Sequence, residues 1–244
     1  METRDICIVG AGPAGLTAGI FTARAGLDTL VLDGGDPILE RNAHLENVPG
    51  FPAGVSARRF LDLTREQAER NDCPVREGRV ESISVADDGR FEVDVDGEKD
   101  RLVAEYVICT SWADSEYLAD IDGVGLIQRG SKTYVDVDEH GESDVEGLYA
   151  AGRLAETHHQ TVVAAGDGAS VALTVIDDSD VPFYHDWVAP EGYFTGRGRD
   201  VPPGCEEITD EERERREREA REVMRAHFSD PHPETPTQHP SVEE

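Results

Sequence analysis

The stretch Asp5-Ile-Cys-Ile-Val-Gly-Ala-Gly-Pro-Ala-Gly15 decides the fold of this chain. Its first half is a short apolar run rich in β-branched residues, which is typical of a buried parallel strand. The run ends at Gly10, where the pattern Gly10-x-Gly12-x-x-Gly15 opens a segment with helical spacing. Gly10 permits a tight turn, Gly12 leaves no Cβ between the backbone and a pyrophosphate, and Gly15 allows close helix–strand packing.

The surroundings of this glycine pattern make it more specific than the pattern alone. It follows a predicted strand, precedes a predicted helix, and is followed by a second strand, Thr29-Leu-Val-Leu-Asp33. The carboxylate of Asp33 is placed to accept a hydrogen bond from an adenosine ribose, and the helix N-terminus offers N–H groups to phosphates. We therefore predict a dinucleotide site. The alternative is a glycine-rich turn in another kind of α/β protein.

The charge of the chain limits its partners and its setting. The 244 residues include 52 acidic and 23 basic side chains, which give a net charge of −29. Nucleic acids and anionic membrane surfaces would repel such a chain, so neither is expected as a partner. Because the excess is spread along the whole sequence, we interpret it as the surface of a halophilic, haloarchaeal protein kept soluble in high salt.

Neither a targeting segment nor a metal site is expected from the sequence. No basic segment with an apolar region precedes the first strand, and no apolar run is long enough to span a bilayer. We therefore expect a cytoplasmic protein. The four cysteines, Cys7, Cys73, Cys109 and Cys205, are isolated, so no dithiol pair and no metal-ligand spacing are present.

The middle of the chain predicts a β-meander. Segments around 80–84, 91–95 and 101–104 alternate with the period of a strand and are separated by Asp-Gly turns. A buried strand, 106–109, is expected to return to the main sheet. Residues 110–132 are expected to form a short irregular link, followed by a strand near 147–152 and a helix over 162–176. Residues 1–180 thus form one predicted domain.

The remainder of the chain has a different composition. Residues 181–228 are predicted to be an extension, with an aromatic stretch and a charged helix that begins after Thr209. The aromatic stretch either covers a surface of its own chain or forms an interface with a second subunit. Residues 229–244 are predicted to be a disordered tail.

Several motifs in register resemble the FAD domain of the low-molecular-weight, bacterial-type thioredoxin reductases. They are Val9 to Ala18, Leu30 to Asp33, Glu46 to Pro52, Gln67-Ala-Glu, Gly147 to Gly152, and Gln160 to Ala169. The resemblance covers roughly residues 4–110 and 130–177. It implies an α/β, Rossmann-like FAD domain of the glutathione-reductase type, with a parallel sheet, a three-stranded meander and, here, a helical C-terminal extension.

The resemblance also implies a set of FAD-binding residues. The pyrophosphate would lie over the glycine turn, Asp33 would hold the adenosine ribose, and Val80 would contact the adenine region. Asn47, Gln160 and Thr161 would lie near the flavin ring. The full set is Gly10, Gly12, Pro13, Ala14, Gly15, Asp33, Asn47, Val80, Gly152, Arg153, Gln160 and Thr161.

The chain departs from the family at three points. Only about twenty residues join Cys109 to Thr133, where the family inserts an NADP domain that carries a catalytic Cys-x-x-Cys. The family's Ala-Thr-Gly before that insertion is Cys109-Thr-Ser111 in this chain. Its aspartate after the last strand is replaced by Arg153, which cannot accept the same hydrogen bond from the ribityl chain but is able to pair with a phosphate.

Two residues are weak candidates for redox or proton chemistry. Cys109 ends a strand near the predicted flavin, although a lone cysteine in such a run is more often a core residue. His159 precedes Gln160, although a histidine in a loop is more often only solvated.

Two functions from different classes follow. The first is an FAD-dependent oxidoreductase without its own NADPH site or dithiol, which receives electrons from an external donor such as a small redox protein. The second is a non-catalytic flavin- or nucleotide-binding subunit or sensor. A third and weaker hypothesis, a decayed scaffold without cofactor, follows from Ser111 and Arg153. The family resemblance and the aromatic stretch also predict a homodimer.

Overall fold

The computed structural model describes residues 1–35, 37–97, 101–112, 114–238 and 242. Its strands, β1 to β11, are Glu2–Val9, Thr29–Asp33, Val75–Glu77, Val80–Val85, Phe91–Val95, Leu102–Cys109, Leu126–Arg129, Lys132–Val135, Leu148–Ala150, Trp187–Pro190 and Cys205–Ile208. Its α-helices, α1 to α4, are Pro13–Arg24, Ala57–Arg70, Thr161–Asp178 and Asp210–Phe228. None of the helices in this described part is long and apolar enough to span a bilayer.

The main sheet has seven strands, and β1 lies near its centre. The order is β3-β2-β1-β6-β5-β4, with β9 pairing with β6 on the same side as β5. Strands β1, β2, β3, β6 and β9 pair in parallel, whereas β4, β5 and β6 form an antiparallel meander. This arrangement confirms the predicted fold class, a mixed α/β fold with a mainly parallel sheet and a three-stranded meander.

Strand β6 differs from the sequence-based prediction, which divided it into two strands. It is one continuous strand, Leu102–Cys109, with two different neighbours along its length. Residues 102–104 pair with β5, and residues 107–109 pair with β9. The exposed Glu105 lies where the neighbour changes. Because this polar residue interrupts the apolar pattern, the sequence suggested a break.

Both faces of the sheet are buried, as expected for parallel strands with near-continuous apolar sequence. Along β1, Ile6 and Ile8 face a cluster formed with α1, α2 and α3. Cys7 and Val9 face the opposite cluster, which contains Phe91 of the meander. The side chains of the second half of β1, Ile6 to Val9, are therefore committed to the core, and the residues after its C-terminal end remain available for a site.

The link after β6 is more ordered than the sequence predicted. Within its described residues, a 3₁₀ turn at Glu116–Leu118 buries Tyr117 and Leu118. Strand β7 pairs with β8 as a hairpin. The link therefore packs onto the meander side of the core instead of forming an irregular loop.

The C-terminal extension combines a two-stranded sheet with the predicted charged helix. Strands β10 and β11 pair in parallel, which the sequence did not indicate. The predicted helix cap is present, since the hydroxyl of Thr209 accepts a hydrogen bond from the N–H of Glu212 at 3.2 Å. Arg24 of α1 holds the extension through Asp186 at 2.6 Å.

The aromatic stretch packs largely on itself. The ring of Trp187 lies 4.6 Å from that of Tyr193 and 5.7 Å from that of Phe194, and Phe194 is buried. In the described part of the predicted tail, the imidazole of His232 contacts Asp62 at 2.9 Å, and Arg59 donates to the carbonyl of Asp230 at 2.9 Å. The tail residues 239–241 and 243–244 lie outside the described residues.

Helix α3 packs closely against α1 because Gly168 has no side chain. A Cβ added at Gly168 would lie 2.1 Å from the carbonyl oxygen of Ala14, which is backbone and cannot move aside. We expect Gly168→Ala to lower the free energy of unfolding by about 1–3 kcal/mol, the usual cost of overpacking. A urea titration monitored by circular dichroism measures this change.

Gly166→Ala is the matched control, because a Cβ added at Gly166 has no neighbour within 4 Å. It should stabilise the same helix by up to about 1 kcal/mol through helix propensity alone. Equal effects of the two substitutions would contradict the assigned contact.

Candidate functional site

A cavity of about 850 Å³ opens where β1, β2 and β6 end. This is the edge at which open α/β sheets bind ligands, because the loops that follow parallel strands meet there. The first turns of α1 and α3 border the cavity, as do the loops that contain Asn47 and Val80. Its volume lies within the range of about 300–1,000 Å³ that is typical of ligand and cofactor sites.

The glycine turn forms the floor of the cavity. Gly10 has a φ of +112°, which favours glycine at this position. A Cβ added at Gly15 would lie 1.9 Å from the carbonyl oxygen of Gly10, so Gly15 allows the close packing predicted for it. A Cβ added at Gly12 would meet nothing within 4 Å. Gly12 therefore faces open space beside the first N–H groups of α1, where a pyrophosphate fits.

Most of the predicted cofactor-binding residues line this cavity. Ten of them do so: Gly10, Gly12, Pro13, Ala14, Asp33, Asn47, Val80, Arg153, Gln160 and Thr161. Gly15 and Gly152 lie behind the wall. Gly152, with a φ of +70°, packs against Ala14, and its N–H donates to Asp167 at 2.6 Å.

Asp33 has a partner that the sequence did not indicate. Arg65 of α2 makes an ion pair with one oxygen of the Asp33 carboxylate, and the other oxygen accepts the N–H of Gly35 at 3.0 Å. A carboxylate has about four lone-pair positions, so a ribose hydroxyl still has room to bind. Arg65 thereby fixes the orientation of Asp33, and no local pattern around Arg65 distinguished it from other helix arginines.

Asn47 and Gln160, which the sequence placed near the flavin ring, contact each other. The amide nitrogen of Asn47 donates to the side-chain oxygen of Gln160 at 2.7 Å. Both residues are exposed, as are His158 and His159. This end of the cavity is therefore open to solvent.

The guanidinium of Arg153 lies against a tyrosine. It donates to the hydroxyl of Tyr134 at 2.6 Å and to the carbonyl of Thr157 at 3.3 Å, and it lies 4.9 Å from the centre of the Tyr134 ring. The nearby carboxylate of Asp167 accepts hydrogen bonds from the N–H of Gly152 and the hydroxyl of Thr157. Arg153 is thus held by neutral groups while it lines the cavity.

Trp112 is a cavity residue that the sequence reasoning missed. Its backbone has a φ of +58°, which is rare for a bulky residue, and its ring lies 4.4 Å from that of His159. The ammonium of Lys132 lies 5.2 Å from the centre of the same ring. Although His159 as a residue is exposed, its imidazole is partly shielded from water, which lowers its pKa, and the positive charges of Arg153 and Lys132 lower it further. This shift favours the neutral imidazole.

Cys109, the thiol candidate, lies in the core. It is fully buried and does not line the cavity. Burial raises the pKa of its thiol to about 12, so the reactive thiolate is scarce at neutral pH. These features favour a core role for Cys109 over a redox role.

The similarity of this chain to known proteins indicates the same type of site. A family model described as an FAD binding domain matches residues 5–40. The thioredoxin reductase of Aquifex aeolicus is 39% identical over 99 residues, which are 40% of this chain and 31% of that protein. The thioredoxin reductase of Streptomyces coelicolor is 34% identical over 132 residues, which are 53% of this chain and 40% of that protein.

The chain therefore spans roughly a third to two fifths of the length of these curated relatives, 31% and 40%. Among solved structures, a thioredoxin reductase from Gloeobacter violaceus matches with a TM-score of 0.62 at 17% identity. That match covers 76% of this chain and 99% of the other. At this identity, the structural match supports the fold alone.

Together, the site and the matches identify a thioredoxin-reductase-like FAD-binding domain. FAD is its cofactor, and the residues that line the cavity fit it. The open space at Gly12 suits the pyrophosphate, and Asp33 suits the ribose.

The contact between Trp112 and His159 predicts a change in titration. Because partial burial is the largest cause of the lowered pKa of His159, we expect Trp112→Ala to raise that pKa toward its ordinary value. Lys132→Met should also raise it, by a smaller amount. Titration of the imidazole C–H resonances by NMR measures the change. Trp187→Ala, in the extension, is the control and should leave His159 unaffected.

Burial also predicts which thiols react. Cys7, Cys73 and Cys109 are buried, whereas Cys205 is half-buried. We expect iodoacetamide at pH 8 to label Cys205 at least about tenfold faster than the other three in the folded protein. All four should react in urea, and mass spectrometry of peptides distinguishes them. Fast labelling of Cys109 in the folded protein would restore it as a redox candidate.

Proposed function

We propose that this chain is a flavoprotein oxidoreductase that holds FAD and passes electrons between external partners. The observation that carries the proposal is the cavity itself, which brings the glycine turn, Asp33 and the Asn47–Gln160 pair to one site. The flavin supplies the redox chemistry, and the chain supplies position, charge and access. The glycine turn binds the pyrophosphate, and Asp33, oriented by Arg65, binds the adenosine ribose.

We propose an external electron donor, because no internal one is formed by the residues that the structure describes. About twenty residues join Cys109 to Thr133, too few for a nucleotide-binding domain. Among the described residues that line the cavity, none is a cysteine. The exposed residues 158–160 at the open end leave room for a small redox protein to approach. We further propose that the protein works in the cytoplasm of a halophile, as a homodimer.

The second candidate is a non-catalytic flavin-binding subunit or sensor. The observation that favours it is the burial of Cys109, with its pKa raised to about 12, which leaves the cavity without a reactive thiol. Donor experiments distinguish the two functions, because a sensor needs no fast electron donor.

The first test is the visible spectrum of the protein purified in molar salt, with its cofactor identified after denaturation. We expect flavin bands and about one FAD per chain. Gly12→Val should weaken FAD binding at least tenfold, about 1.4 kcal/mol, because its side chain enters the space of the pyrophosphate. Gly196→Val is the matched control, since Gly196 also faces open space but lies outside the cavity.

The donor is tested without oxygen by following the loss of flavin absorbance. We expect a chemically reduced ferredoxin to bleach the bound flavin faster than NADPH alone does. Rapid bleaching by NADPH alone would contradict the external donor. A colourless protein that takes up no added FAD would overturn the proposed function.

A further inference from the structure

Two half-buried cations, Arg153 in the wall of the cavity and Lys132 over the ring of Trp112, have no anionic partner among the residues that the structure describes. The sequence contains 52 acidic against 23 basic residues, and many of its arginines are ion-paired. Among the described residues, however, no carboxylate lies within ion-pair distance of Arg153 or Lys132. Arg153 contacts the neutral Tyr134 and Thr157, and Lys132 lies over the ring of Trp112.

The carboxylate of Glu156 does not fill this role. The charge of Arg153 helps to lower the pKa of Glu156, but Glu156 makes its ion pair with Arg129 at 2.5 Å. Keeping a cation partly buried without a counter-charge costs free energy, which a bound anion offsets. The pair Arg153 and Lys132 therefore suits an anionic ligand.

Both cations act on the same place. The charges of Arg153 and Lys132 both lower the pKa of His159, which lies at the cavity edge against Trp112. Arg153 lines the cavity directly. Lys132 does not line the cavity itself, but its ammonium lies over the ring of Trp112, which does. Neither form of the imidazole carries negative charge, so His159 does not neutralise the field of the two cations there.

The sheet order identifies which part of the cofactor meets this field. Strand β2, which carries Asp33, lies on one side of β1, and β9 lies beyond β6 on the other side. Arg153 follows β9, so it and Asp33 belong to opposite ends of the cavity, about 14 Å apart at the usual strand spacing. Because the end of β2 takes the adenosine ribose, the opposite end, where Arg153 lies, takes the flavin half of FAD, its ribityl chain and ring.

We propose that Arg153 and Lys132 form a cationic subsite that stabilises the negative charge of the reduced flavin ring. If bound FAD took up two electrons from the external donor and one proton from solvent, its ring would gain one negative charge, and Arg153 and Lys132 would stabilise that charge. A fixed positive charge nearby favours that state and so raises the reduction potential of the flavin. A higher potential allows a weaker donor to reduce it. This inference rests on the proposed function.

The test is the reduction potential of the FAD-loaded protein, measured against a dye of known potential at one salt concentration. We expect Arg153→Met to lower the ratio of reduced to oxidised flavin at a fixed potential about tenfold. That change corresponds to about 30 mV for a two-electron couple. Lys132→Met should lower the ratio by a smaller factor, about threefold, because Lys132 does not line the cavity.

Two variants separate charge from packing. Arg153→Lys keeps the positive charge and should stay within about twofold of the unsubstituted protein. Arg197→Met is the matched control, since Arg197 also lies over a tyrosine ring, 4.2 Å from the centre of Tyr193, but not at the cavity. It should leave the potential unchanged.

The outcomes are distinguishable from failure of the proposed function. If the unsubstituted protein binds no FAD, the proposed function and this inference both fall. Suppose that FAD binds at one per chain and that Arg153→Met and Lys132→Met both have the reduction potential of the unsubstituted protein. Then only this inference is overturned. If the Arg153→Met protein no longer holds FAD, the reduction potential of the Lys132→Met protein decides whether the inference stands, because Lys132 does not line the cavity.

Discussion

Backbone contact around the glycine turn is the constraint on which the rest of the structure depends. The hydroxyl of Thr110, at the end of β6, donates to the carbonyls of Val9 and Gly10, each at 2.9 Å. Gly15 lies so close that a Cβ there would also be 2.6 Å from this hydroxyl. Because Gly10 and Gly15 have no side chains, α1 packs directly on these strand ends and its N-terminus lies on the cavity floor. The binding space is a consequence of this close packing.

The extension differs from the domain in the kind of contacts that hold it in place. The domain has a buried apolar core on both faces of its sheet. The extension is held largely by exposed ion pairs such as Arg24–Asp186 and Arg70–Glu219, which contribute about 0–1 kcal/mol each and are weakened by salt. At high salt, apolar contacts such as that between Phe51 and Phe228 therefore become more important for its attachment. The extension is expected to open before the domain does.

The sequence predicted those structural features whose determining residues lie close together in the chain, and it missed those that depend on distant segments. The turn at Gly10, the strand that ends at Asp33 and the meander follow from patterns within a few residues, and the structure contains them. The pairing of Arg65 with Asp33 joins two distant segments, and no spacing rule indicates it. Trp112 was missed because a tryptophan with a positive φ is rare, so the sequence gives no reason to expect its ring at the cavity.

Charge is the main property by which the residues of this chain act on the flavin, because its thiols and its cavity histidine contribute little. Three of its thiols are buried, and those of Cys73 and Cys109 have their pKa raised to about 12, so they are poor nucleophiles at neutral pH. The lowered pKa of His159 favours its neutral form, which adds no charge of its own. Arginine stays protonated at every physiological pH. In a chain with a net charge of −29, the general field opposes electron uptake, so cations placed at the ring have a larger relative effect.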